Sequence, residues 1–297
     1  SKVAGESFKS KINKIRNILK LNKTDYLFIS APENVAWVLN IRGSDNPNSP
    51  IPNCRLIIGK NKELFLITQK EKTLKITKDK KLSKKQIINP KKFEDLINKL
   101  KGYKFIIDPL SCSLLNENII KSKFKIINKD DPCYKLKSIK NSSEIKHMIN
   151  AHIEDGLALT KFIFWIKNIN KKKITEVDAQ NKLEKFRKLN KNYLFPSFNT
   201  IAGTGSNGAI VHYRASKKSN RTIKKKDVLV TSTLTEEELT TKIFSDKQMK
   251  EKIRDKIHRN WLCNTIPNWT TPYASIPNKT ANNKTLKCNF NLFMRVT

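Results

Sequence analysis

Four histidines, five cysteines and one glycine-rich segment hold most of the chemistry this 297-residue chain could perform. The segment "TIAGTGSNGAIVHY", Thr200 to Tyr213, places Gly203, Gly205 and Gly208 in the order G-x-G-x-x-G. Glycines so spaced can cradle a dinucleotide pyrophosphate when a strand precedes them and a helix follows. "SFNTIAG" supplies the strand. The following "AIVHYRA" alternates and carries β-branched residues, so it predicts a second strand and no helix. An acid for the ribose is expected about 20 residues on. Asp227 has that spacing, but it precedes "VLV" instead of ending it. The context rules out a dinucleotide site. Glycines and Asn207 are expected to supply positive φ angles in a hairpin turn.

His212 lies just past that turn, and by pattern alone it reads as a partly buried strand histidine satisfied by a neighbour. His147 and His152 are five apart on one predicted helix, not the i,i+4 pair a metal site uses. His258, in "RDKIHRN", reads as a helix surface, and the consecutive Glu236, Glu237 and Glu238 do not converge on one point. Cys54, Cys112, Cys133, Cys263 and Cys288 form no C-x-x-C pair. Their odd number and wide scatter suit free structural thiols in a reducing compartment.

The elements that position these residues follow from apolar spacing. Phe8, Ile12, Ile15, Ile18 and Leu19 predict a helix. "DYLFIS" predicts a buried strand, and "APENVAWVLNIRG" a short helix closed by Gly43. "CRLIIG" and "ELFLIT" predict paired strands, "PKKFEDLINKLKGY" a helix opened by Pro90 and stopped by Gly102, and "KFIIDP" and "KFKIIN" two more strands. Strands alternating with helices over residues 1–130 predict an α/β domain. Residues 131–143 read as a connector. A long capped helix then runs from Asn141 or Ser142 through Asn168, with Glu144 in its first turn, and a second starts at Thr175 with Asp178 three residues on. Trp37, Phe162 and Trp165 sit at core spacing. Strand periodicity returns from Ser197 to "DVLV". Residues 231–297 lose periodicity apart from a helical stretch near Glu251–His258, and the last 30 or so read as irregular.

Lys and Arg number 60 against 26 Asp and Glu, a formal charge of +34. The excess is lysine spread along the whole chain, as in Lys171-Lys172-Lys173 and Lys224-Lys225-Lys226, without interleaved aromatics. That pattern fits solvated loops and loose polyanion attraction better than specific nucleic-acid recognition. No apolar run reaches the roughly 20 residues of a membrane span.

"FPSFNTIAGTGSNGAIVHY" followed by "NRTI" resembles the aminopeptidase P (Xaa-Pro aminopeptidase) family of pita-bread metallopeptidases. "NVAWVLNIRGSD", "LKSIKNSSEIKHMINAHIEDGLAL" and "TEVDAQNKLEKFR" match in the same order, and the similarity runs from about Gly5 to Val230. The resemblance implies a creatinase-like α/β domain followed by the first half of a pita-bread (α+β) domain, here residues 144–230. It also implies release of the N-terminal residue from peptides with proline second, two manganese ions and a possible homodimer; the cytoplasmic location expected here rests on the scattered thiols. The metal pair would generate hydroxide near neutral pH.

The family's two ligand aspartates align with Thr231 and Lys242, and its remaining His and two Glu ligands are expected beyond residue 297. Threonine is a poor ligand and a lysine ammonium repels a cation. A truncated or inactive family member, with no metal held by this chain, is the expectation. The alternative is a non-catalytic protein binding peptides or polyanions on its basic surface. Through the resemblance, His212 is expected to be a retained substrate contact. Arg42 and Asp45 are expected to have a structural or dimer-contact role.

Overall fold

In a computed structural model, the described residues are 3–168, 173–224, 227–232 and 291–295. They form two compact units, Ser1–Ile145 and Lys146–Thr297. The predicted helix near Glu251–His258, together with Lys242, lies outside the described residues.

The first unit is built on six strands: β1 (Tyr26–Ile29), β2 (Arg55–Gly59), β3 (Leu64–Ile67), β4 (Ile87–Ile88), β5 (Lys104–Ile107) and β6 (Lys125–Asn128). Their order in the sheet is β4-β3-β2-β1-β5-β6. β1 pairs antiparallel with β2 and parallel with β5, so the sheet is mixed. After Arg55 and Lys104 at the starts of β2 and β5, its central strands carry only apolar residues and glycine, because both faces are covered.

Leu27 and Ile29 face one side, with Ile12, Ile15 and Leu19 of α1 (Phe8–Leu21) and Val35 and Val38 of α2 (Pro32–Leu39). Tyr26 and Phe28 face the other, against Phe93 and Ile97 of α4 (Phe93–Lys99) and Ile120 of α5 (Leu114–Lys121). A short helix, α3 (Leu74–Lys78), lies between β3 and β4 in the sequence. Period-two alternation in β1 thus divides its side chains between two helix-covered cores. Lys11 is also on the inner face of α1, 1% exposed. Its ammonium donates to Trp37 O at 3.0 Å and Asn40 Oδ1 at 2.9 Å, and sits 4.1 Å from the Trp37 ring centroid. Trp37 is therefore only half-buried and serves as a cation's lid.

One expectation for this unit needs correction. α2 stops at Leu39, not Gly43: Asn40 takes the left-handed conformation with φ 50° and caps the helix. The stretch 131–143 contains a further helix. Asp131 Oδ1 accepts Cys133 N–H at 2.8 Å and caps α6 (Pro132–Ser138), whose Cys133 enters the core.

α7 (Ser142–Lys167) starts where expected. Asn141 Oδ1 accepts the Ser143 and Glu144 amides, and Glu144 Oε2 returns the bond to Asn141 N–H. In the second unit, β7 (Ile174–Thr175) leads into α8 (Glu176–Arg187), opened by the Thr175–Asp178 capping box. β8 (Ile201–Thr204) pairs antiparallel with β10 (Val228–Ser232), and β9 (Thr222–Ile223) with β7. Phe162 and Ile166 of α7, Leu183 of α8, Ala202 and Leu229 form the core, with Trp165 against it. The expectation of an irregular C-terminal stretch is overturned at Asn291–Arg295, which forms β11 antiparallel to β10. Among the described residues no helix is long and apolar enough to cross a membrane.

Candidate functional site around His212

The glycine-rich segment does not make a hairpin. β8 ends at Thr204 and the chain turns at once into a 3-10 helix over Gly205–Ala209. Gly205 takes φ +56°, whereas Asn207 stays out of the left-handed region, contrary to expectation. A Cβ on Gly203 would lie 3.0 Å from Asn207 O, so a side chain there would crowd the backbone of the turn. The predicted strand over "AIVHYRA" is absent. Ile210 and Val211 are 54% and 82% exposed, and the alternation buries only Tyr213.

His212 is exposed and takes φ 54°, a conformation uncommon for a residue with a Cβ. Neither part of its pattern-based reading holds: it lies in no strand, and among the described residues its imidazole makes no hydrogen bond. A fixed surround holds it instead. The phenol of Tyr213 lies 2.7 Å from Glu176 Oε2 and 2.8 Å from Ser219 O. Asn207 Nδ2 lies within 3.2 Å of both Glu176 oxygens. Backbone N–H groups of Thr204 and Arg221 donate to Glu176 Oε1 and Oε2 at 2.7 and 3.0 Å. Burial pushes the Tyr213 phenol up, Ser219 opposes this and the Glu176 carboxylate adds to it, so the phenol stays a donor at neutral pH.

Glu176 has no exposed surface. Sequence reading passed over it, because an acid in the first turn of a helix ordinarily just complements the dipole. A glutamate directly after the Thr175 cap was the one signal available.

The expected metal position presents a different picture. Thr231 sits in β10 opposite Ala202, is fully buried, and its hydroxyl has no hydrogen-bond partner among the described residues. A neutral hydroxyl offers little to a hard divalent cation where a carboxylate is wanted. Among the described residues no group of three or more His, Cys, Asp or Glu could hold a metal ion. His152 Nδ1 is 2.8 Å from Met148 O within α7.

Asp45 serves structure, accepting Asn53 N–H at 2.6 Å and the Lys72 ammonium at 2.9 Å. Arg42 is exposed and donates to Ile41 O. Both line an open cleft of about 560 Å³ with Lys72, Lys75 and Ile76. With a chain charge of +34, a cationic rim there does not single out a ligand.

Residues 1–144 match the creatinase/prolidase N-terminal domain, and residues 146–243 match metallopeptidase family M24. The chain is 33% identical over 232 residues to an Xaa-Pro aminopeptidase of Drosophila melanogaster, covering 76% of this chain and 38% of that protein. It is 33% identical over 239 residues to Xaa-Pro aminopeptidase 1 of Dictyostelium discoideum, covering 78% and 38%. Among solved structures, an X-prolyl aminopeptidase of Caenorhabditis elegans, described as a cytosolic enzyme with a di-nuclear active site, superposes with TM-score 0.71 at 24% identity. That match covers 78% of this chain and 39% of that one. An Xaa-Pro dipeptidase of Bacillus anthracis superposes with TM-score 0.56 at 19% identity, over 76% and 60%. At these identities the two structures attest the fold alone. The chain spans about 38% of the length of the curated relatives it matches.

Proposed function

The chain belongs to the Xaa-Pro aminopeptidase family, built from a creatinase/prolidase N-terminal domain and a metallopeptidase M24 segment, and on that premise we propose that it retains the peptide-contacting loop of that chemistry without the means to drive hydrolysis itself. Peptides with proline in second position are the ligands. His212 is the contact, carried outward on a loop whose neighbours on both sides are anchored. The location proposed is the cytoplasm, where the nematode neighbour is described as working and where free thiols persist.

One observation carries the catalytic half of this reading. The first expected ligand position is Thr231, a buried neutral side chain with an unpartnered hydroxyl. A divalent metal pair supplies hydroxide and polarises the scissile carbonyl when bound. Thr231, the one such position among the described residues, does not fit such a pair.

Titrating the chain with an Xaa-Pro-Pro peptide and following the imidazole resonances tests the binding half. The reading requires a saturable shift of the His212 signal, and loss of binding in His212→Ala. Unshifted histidines at millimolar peptide would contradict it.

A further inference from the structure

Glu176 is one of three buried acids among the described residues, with Asp108 and Asp131. It is a carboxylate with no exposed surface and, among the described residues, no ion-pair partner. Burying such a group costs several kcal/mol unless every acceptor site is used. Here the sites are used, and only by neutral donors. Thr204 N–H and Asn207 approach Oε1, while Asn207, Tyr213 OH and Arg221 N–H approach Oε2. The backbone N–H of Glu176 itself donates to Arg221 O at 3.0 Å.

These donors share a location. Thr204 is the last residue of β8, Asn207 and Tyr213 flank His212, and Arg221 is where the chain re-enters regular structure at β9. One carboxylate therefore ties together the entrance, the interior and the exit of the loop that carries His212. Other bonds join Asn207 and Tyr213 to Ser219 and Arg221 to Ser206 within the loop, and Val177 N–H donates to Asn220 Oδ1 at its end, but apolar packing adds little to it. Its exposed Ile210 and Val211 contribute no core, and its one regular piece is the 3-10 turn at Gly205–Ala209.

We propose that Glu176 is a positioning residue: its buried carboxylate holds the Gly205–Arg221 loop closed and thereby fixes His212 in its outward, left-handed conformation. The importance attached to His212 rests on the function proposed above; the anchoring of the loop does not.

The hydrogen-bond inventory makes a sharp demand. A glutamine has nearly the same shape but only one acceptor oxygen, and its NH₂ group is a donor. If that NH₂ takes the Oε1 position it faces Thr204 N–H. If it takes the Oε2 position it faces Arg221 N–H and the Tyr213 phenol. Backbone N–H groups cannot turn away, so neither orientation satisfies the site.

The test compares the unaltered chain with Glu176→Gln and Tyr213→Phe by amide hydrogen exchange and by the His212 imidazole resonance, assigned with His212→Gln. The expected result for Glu176→Gln is at least tenfold faster exchange at Thr204, Arg221 and the loop between them. Residues 26–107 should be unchanged, and the His212 line should broaden or split. Tyr213→Phe leaves the carboxylate its other three donors and should loosen the loop less. It also keeps the proposal testable if Glu176→Gln unfolds the whole second unit. Loop exchange and a His212 line that stay as in the unaltered chain in both variants would overturn the proposal. So would faster loop exchange with an unmoved His212 line, because that would make Glu176 merely structural. Failure of the unaltered chain to bind an Xaa-Pro-Pro peptide would count against the function proposed above, while exchange and the His212 line would still decide the role of Glu176.

Discussion

The Tyr213 phenol lies 2.7 Å from the Glu176 carboxylate, and this bond anchors one side of His212 to the first turn of α8 across 37 residues of sequence. It also explains why the alternating "IVHY" misleads. Tyr213 is buried to reach a carboxylate, not to fill one face of a sheet. Its removal should be felt in stability: Tyr213→Phe is expected to cost about 1.5–3 kcal/mol in urea unfolding, the usual range for a hydrogen bond to a charged group. A cost below a few tenths would mean that the bond is not formed in solution.

A second anchor links α7 to α8. Arg187 Nε and Nη2 lie 2.6 and 3.2 Å from the Asp155 carboxylate oxygens, and Nη1 lies 3.4 Å from Thr200 Oγ1. The guanidinium side chain is 9% exposed. Asp155→Ala leaves that cation buried without its bidentate partner, and should destabilise the second unit by about 3 kcal/mol. Lys188–Glu184 is a useful control: both side chains lie at the surface of the same helix, and Glu184→Ala should change stability by about 0.5 kcal/mol or less.

Asp25 should make the fold of the first unit sensitive to acid. Burial would raise its carboxyl, but the amide of Lys104, the ammonium of Lys60 and the amide of Tyr103 outweigh that and lower it from 3.8 to about 2. A carboxyl depressed on folding stabilises the fold above its unfolded pKa, and that contribution is lost as pH falls through the folded value. The window is therefore pH 4 down to 2. Because Lys60 is partly solvated, the contribution is about 1–2 kcal/mol. Asp25→Asn should be less stable than the unaltered chain at pH 7 and nearly equal to it at pH 2. A stability difference independent of pH would refute the assignment.

Thiol chemistry separates the cysteines. Burial pushes the Cys54 thiol up to about 12 and the Cys112 thiol to about 11, and raises Cys133 well above its usual 9.0. All three are free. Iodoacetamide at pH 8 followed by mass spectrometry should leave Cys54 and Cys133 unmodified in the native chain, with Cys112 modified slowly. Rapid modification of Cys133 would mean that α6 is not docked.

What the sequence makes legible depends on what determines each element. Runs such as "YLFI" and "LII" are apolar because both their faces are covered, and "KINKIRNIL" shows its helix through three- and four-residue spacing. Those signals are local. The end of α2 is not: Gly43 looks like the stop, but Asn40 can adopt the left-handed cap and does so earlier. The site was least legible where it matters most. His212 was found through resemblance, while Glu176 was invisible because its role comes from donors 28 to 45 residues downstream. β11 was missed for a similar reason, since five residues pairing with β10 carry no signal without their partner.

The proposal that this chain assembles no working metal centre from its own residues is tested by release of the N-terminal residue from an Xaa-Pro-Pro peptide, with the purified chain supplied with manganese. No rate above the His212→Ala control and no manganese-dependent rise in melting temperature are expected. A chelator-sensitive rate above that control would show that other side chains hold the metal, and would contradict the reading of Thr231.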